Sequence, residues 1–446
     1  MLDDLQGNIL KGHGRDHTAQ LFLQFHDAKQ GRAFLSALAT QVKSASQQLH
    51  EAEIYRETKV PAGAFVVCFL SHAGYRALEV DERQIPDSTA FHEGMRGRAG
   101  DLGDRPEDDW DQLFEQQIHA LVLIADSSAA QTRQHLWQLR RLARQHAVCE
   151  IGIEIGKAIK NHHDRNIEHF GYVDGISVPV MLTEDLPDKR GRWTPVAPLG
   201  LALVHDPGGQ DAFSFGSYFV FRKLEQNVRA FKQAEEKLAE ALALKDHELA
   251  GALVIGRFED GTPVVISSDD GLSPESPENN FNYGDDQQGR HCPFHAHVRK
   301  VNPRGESGKI DEHTHLLVRR GITYGERTDD PNDEDADSRD RPTGGIGLLF
   351  MAYHSSIEKG FEHVQKAWAN DPGYARPNTG PDPLISWRKL VEWQEEHRFG
   401  WQARWGTDEA PKDELFSIEQ LVTPKGGEYF FAPSISFLKS LDSKEQ

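Results

Sequence analysis

Apolar residues in the first 160 positions fall into two alternating kinds of run. Short, dense stretches rich in β-branched and aromatic residues, "QLFLQF" (20–25) and "AFVVCFL" (64–70), have the composition of strands. Between them, Ala28 to His50 carries Phe34, Leu35, Leu38 and Val42 at helical spacing. The unit then recurs. Leu121 to Ala125 reads as a strand, "AAQTRQHLWQLRRLARQH" (129–146) as an amphipathic helix, and "VCEIGIEIG" (148–156) as an alternating strand. Two successive β-α-β units make the ferredoxin-like pattern.

The second half repeats it. "SYFVFRKL" (217–224) is strand-like, and a helix running to about Lys245 puts Val228, Phe231, Ala234, Leu238 and Leu242 on one stripe. "GIGLLFMAYHSS" (345–356) feeds the helix "IEKGFEHVQKAWAN", and "GEYFFAP" (427–433) closes as a strand. The expectation is therefore an α+β fold of two ferredoxin-like halves with facing antiparallel sheets. An N-terminal half spans 1–160, a loop-rich connection rich in Gly, Pro and Asp spans 161–215, and a C-terminal half spans 216–446. The length of 446 residues suits one fold built from two similar halves. The acidic stretch "ERTDDPNDEDADSRDRP" (326–342) reads as a solvated surface excursion.

Charge narrows the partners. Lys plus Arg number 50 against 70 Asp plus Glu, a formal net charge of −20, so nucleic acid and anionic membranes are excluded as natural partners. Cys68, Cys149 and Cys292 are too few for a disulfide framework and have no CxxC spacing, which fits a reducing compartment. The N-terminus shows no secretory pattern, and the apolar runs reach about half of the roughly 20 residues a membrane helix needs, so the expected location is cytoplasmic.

Three places could carry chemistry. In "HCPFHAHVRKVNPR" (291–304), His295 and His297 would share a face on a strand, and His313 and His315 form a second such pair. These could hold a non-haem metal, hold a metal-bearing cofactor, or merely pack. "LLVRRGITYG" (316–325) is strand-like with two adjacent arginines, one of which must face inward and would need an anion. In "EHFGYVDGISVPV" (168–180), Asp174 sits in an apolar, Gly-bounded turn, where the plain alternative is a β-turn.

Taken together with "QGNILKGHGR" (6–15) and "GGIGLLFMAYHSSIEKGFEHVQKAW", these motifs resemble, in order and over nearly the whole chain, the larger subfamily of the dye-decolorizing peroxidases. The resemblance implies a haem b enzyme of the dimeric α+β barrel superfamily. It would use hydrogen peroxide to form a ferryl intermediate and oxidise dyes or phenolics in one-electron steps. It also implies roles. His297 would be the proximal haem ligand, with His295 the alternative. Asp382 would accept the ligand's ring N–H. Asp174 would be the distal acid-base residue, and Arg319 the distal arginine, with Arg320 the alternative. Leu348 and Phe350 would line the peroxide pocket. Asn302, Arg304 and His169 would lie near the haem edge and propionates, and Trp368 and Tyr324 would be surface oxidation sites. A haem-carrying protein is the rival reading; it would need the pocket but no distal acid-base pair.

Overall fold

The computed structural model describes residues 1–444 apart from 187–192, 273–277, 307–309, 334–335, 403, 410–411 and 414–417. Eight strands organise it: β1 (His17–Gln24), β2 (Phe65–Leu70), β3 (Ala120–Asp126), β4 (Cys149–Lys157), β5 (Phe215–Gln226), β6 (Ile322–Tyr324), β7 (Gly347–His354) and β8 (Val422–Ala432). In the N-terminal half the order is β4-β1-β3-β2; in the C-terminal half it is β8-β5-β7-β6. Both are the order 4-1-3-2 with antiparallel pairing throughout, the ferredoxin-like sheet read from the alternation.

The two sheets also join at both edges, by Phe431↔Leu70 between β8 and β2 and by Tyr324↔Gly156 between β6 and β4. Each seam rests on one pair of residues, and together they close the ring into a barrel. Its interior is packed with aromatic rings: Phe69 stacks on Phe219 at 4.0 Å, and Phe22 meets Phe221 edge-on at 5.1 Å. All four of these residues are fully buried.

Several elements differ from expectation for local reasons. The helix read over 28–50 is two, Ala28–Leu38 and Ala45–Thr58, because Ser44 and Gln47 form a capping box that starts a new helix. "CPFHAH" is not a strand; it leads into the short helix His297–Val301. "LLVRRGITYG" breaks into two short strands, Val318–Arg319 and Ile322–Tyr324. The acidic loop is not merely solvated: buried Arg341 and Arg327 both pair with Asp329, while residues 334–335 lie outside the described ones. Among the described residues no helix is long and apolar enough to cross a membrane.

Two insertions carry the chain to the site. The connection between β2 and β3 runs through short helices, including Ala99–Leu102, to the outer face of the C-terminal sheet. That between β5 and β6 contains the helices Val228–Leu242 and His247–Ile255 and the segment bearing His297. A second apolar cluster, including Phe231, Leu238, Leu253 and Trp401, packs there beside the sheet.

Candidate active site

Asp174, His297, Asn302, Arg319, Leu348 and Phe350 all line one cavity of about 280 Å³ against the outer face of the C-terminal sheet. Leu348 and Phe350 come from alternate positions of β7 and so share its outer face. Arg319 pairs with Ala352 on the same strand. The fold thus brings four separate segments to one place.

The Asp174 loop is pinned at each step. Glu168 accepts from the N–H groups of Phe170 and Tyr172, both at 3.0 Å, and from the Gln226 side chain of β5. Val173 N–H donates to the Glu259 carbonyl and Asp174 N–H to the Asn166 carbonyl. Gly175 follows at φ +82°, a left-handed conformation that glycine adopts without strain, and its N–H donates to Asp174 Oδ1 at 2.7 Å. Arg319 Nη2 donates to the same oxygen at 2.7 Å. Burial pushes the Asp174 carboxyl up, but the charge and hydrogen bond of Arg319, helped by Gly175 and the nearby His297, hold it below the usual carboxylate range.

His297 opens its short helix with Nδ1 2.8 Å from Asp382 Oδ2, which leaves Nε2 as the ring nitrogen available to the cavity. Asp382 is fully buried, and its other oxygen accepts from the N–H groups of Leu384 (2.8 Å) and Ile385 (3.1 Å). Burial would raise this carboxyl, yet His297 and the two amides keep it low and ionised. A carboxylate so held fixes the ring and its tautomer.

The histidine pairs do not converge. His295 is buried between Phe399 and Trp401, and desolvation pushes it down to about 3. His315 stacks on His363 at 3.6 Å. Among the described residues no group of three or more His, Cys, Asp and Glu could hold a metal ion.

The chain's first half matches the model of the DyP dimeric alpha+beta barrel domain over residues 4–159, and the second matches the Dyp-type peroxidase C-terminal model over 168–376. The multifunctional dye peroxidase DyP2 of an Amycolatopsis species is 43% identical, over 99% of this chain and 96% of the relative. The chain belongs to the dye-decolorizing peroxidase family. The solved DyP2 structure overlays on this peroxidase with a TM-score of 0.91 at 41% identity, over 98% of this chain and 96% of that one. A DyP-type peroxidase from an Anabaena species overlays at 0.88 and 40% identity, over 99% and 94%.

Four expected site residues of this peroxidase stand elsewhere. Tyr324 and Trp368, expected at the surface, are only 7% and 4% exposed. Tyr324 is sealed in the β6–β4 seam with Lys223 over its ring, and Trp368 stacks on Tyr374. His169 does not face the cavity; its Nε2 meets the Tyr324 carbonyl at 2.8 Å. Arg304, at φ +49°, is sandwiched between Trp193 and Phe281 and donates to Ser177, to the side-chain and backbone oxygens of Asn279, and to the Phe281 carbonyl.

A residue missed from the sequence is Arg257. It lines the cavity, is buried, and donates to the carbonyls of Gly261 and Glu278 and to the Asn279 side chain. No ion pair satisfies it among the described residues, and desolvation lowers it to about 10. The signal was there: in "ALVIGRF" (252–258) a basic residue follows the end of an apolar helix and stands before a further apolar residue.

The cavity's chemistry suits a haem. It offers an imidazole nitrogen backed by a buried carboxylate, a largely apolar lining that includes Val298, Val301, Leu316 and Leu384, and in Arg257 an unmatched buried cation for a carboxylate of the cofactor.

Proposed function

We propose that this peroxidase is a haem b enzyme that reduces hydrogen peroxide to water and draws the two electrons, one at a time, from dyes, phenolics or similar aromatic donors. The observation that carries the reading is that His297, backed by the buried Asp382, and the Asp174–Arg319 ion pair line a single cavity. Haem bound there would supply the centre at which the O–O bond breaks and the oxidising equivalents are held.

The residues divide the remaining work. His297 would hold the iron, and Asp382, by accepting from Nδ1, would give the ring imidazolate character and more electron-donating power. Arg257 would meet a haem carboxylate. Asp174, kept ionised by Arg319, takes a proton from one peroxide oxygen and returns it to the departing one. Arg319 holds the peroxide and offsets the negative charge that develops on the leaving oxygen. Leu348 and Phe350 exclude water and bulky donors.

The test is the visible spectrum of the purified protein, then again within milliseconds of adding one equivalent of peroxide. A Soret band that falls and shifts establishes the peroxide reaction. A band indifferent to peroxide would favour haem carriage instead. His297→Ala is expected to abolish the band after reconstitution, and a normal band in that variant would remove His297 from its role.

A further inference from the structure

The cavity that Phe350 lines is also lined by Asp104 and Arg222. Directly across the β5–β7 ladder from Phe350 stands Arg222, whose guanidinium lies over the Phe361 ring at 5.6 Å; Phe361 in turn packs on Phe350 with ring centroids 6.0 Å apart. Arg222 Nη2 donates to Asp104 Oδ1 at 2.5 Å. Asp104 arrives from the other half of the chain, on the β2–β3 connection, and both residues line the cavity.

The two side chains are 5% and 3% exposed, yet Arg222 Nη1 and Asp104 Oδ2 have no hydrogen-bond partner among the described residues. Buried ion pairs hold their geometry when the remaining donors and acceptors are met, so an unmet donor beside an unmet acceptor marks a place for a third group. A carboxylate or sulfonate would satisfy Arg222 but face the charge of Asp104, and an amine would have the reverse difficulty. A neutral hydroxyl accepts from one and donates to the other.

We propose that the Asp104–Arg222 pair binds a small phenol, the hydroxyl donating to Asp104 Oδ2 and accepting from Arg222 Nη1, with the ring against Leu102 and Phe350. The oxidation step rests on the peroxidase reading above. The peroxide-oxidised enzyme takes one electron from the bound phenol, the O–H proton passes to Asp104 and from it on to the water being formed, and a phenoxyl radical leaves. A second phenol repeats the step, so one peroxide and two phenols yield two waters and two radicals. Burial pushes the Asp104 carboxyl up against the pull of Arg222, which suits a group that receives a proton. Large sulfonated dyes are too bulky and too anionic for this buried pair, so small phenols and dyes would enter by different routes.

The test titrates the ferric holoenzyme with 4-fluorophenol, followed by fluorine NMR, in wild type, in Asp104→Asn, and in the double variant Asp104→Leu with Arg222→Met. The double variant replaces a buried pair by apolar residues of similar volume, a change that folds tolerate. Saturable binding that weakens about tenfold or more in both variants is expected, the loss of one charge-assisted hydrogen bond. In turnover, the ratio of kcat/KM for the phenol to that for an anthraquinone sulfonate dye should fall by a similar factor. No saturable binding, an unchanged dissociation constant in the double variant, or 4-fluoroanisole binding as tightly as the phenol would each overturn the site. The titration needs no peroxide, so failure of the peroxide reaction would strike the functional reading alone.

Discussion

Arg319 aims its guanidinium at Asp174, while Arg320, one residue on, donates to the carbonyls of Asn8, Ile9 and Arg319. Arg319→Leu should therefore slow the reaction with peroxide, and Arg320→Leu should lower Tm by unfastening the N-terminal segment; stopped-flow and thermal melts in parallel would show the reverse if the assignment is wrong. Asp174→Asn should leave haem bound and slow peroxide cleavage by roughly 10² to 10⁴, the usual worth of a placed acid-base group. The pH dependence follows from its sign. Asp174 has its pKa lowered by Arg319 against the push of burial, so the base form persists as pH falls and is lost only through that lowered pKa. Removing Arg319 raises the pKa, and the acid limb of the rate profile should move to higher pH; an unmoved limb would mean that another group titrates. Adjacent arginines told the sequence reader that one must face inward, but the strand breaks between them and Ile322, so alternation alone could not choose. Arg304 was illegible for a different reason: its left-handed backbone turns it into an aromatic sandwich, and no local pattern announces that.

Strands and most helices were readable from their own apolar residues. β1, β2, β3 and most of β5 are buried on both faces and show as dense apolar runs, while the helix Val228–Leu242 buries one stripe that carries Val228, Phe231, Leu238 and Leu242. What could not be read is how the sheets meet. The seams depend on single residues, and at Gly156 an added Cβ would lie 2.4 Å from Thr18 Oγ1 and 2.5 Å from Ile322 Cγ2. Gly156→Val should overpack the seam at a cost of about 1–3 kcal/mol, seen as a lower midpoint in urea, with less change in the rate of the peroxide step. An unchanged midpoint would show that the strands slide apart freely there. The short helix at His297 was also hidden, since five residues with no side-chain cap leave little periodicity to detect.

At the scale of the molecule, the site sits in a chain of net charge −20, so the charge of an approaching dye matters. Added salt should raise kcat/KM for an anionic dye and lower it for a cationic one, because screening shortens the reach of the repulsion to about 8 Å at physiological ionic strength. Identical responses from both dyes would mean that the surface field does not steer them. Ordered motifs made the family legible from sequence, and the two-half architecture followed from alternation alone. The pairing of Asp104 with Arg222 did not, because it joins residues from halves that no local pattern connects.

Among the described residues, the N-terminal half lines the cavity through the short stretch Leu102–Arg105 and Asp109, and the rest of the lining comes from Glu168 onward. In the phenol site proposed above, Leu102 and Asp104 are thus encoded apart from Arg222 and from the residues assigned to peroxide. A lineage can revise a handful of codons between β2 and β3 and acquire a new diet of reductants while its oxidising centre is inherited untouched.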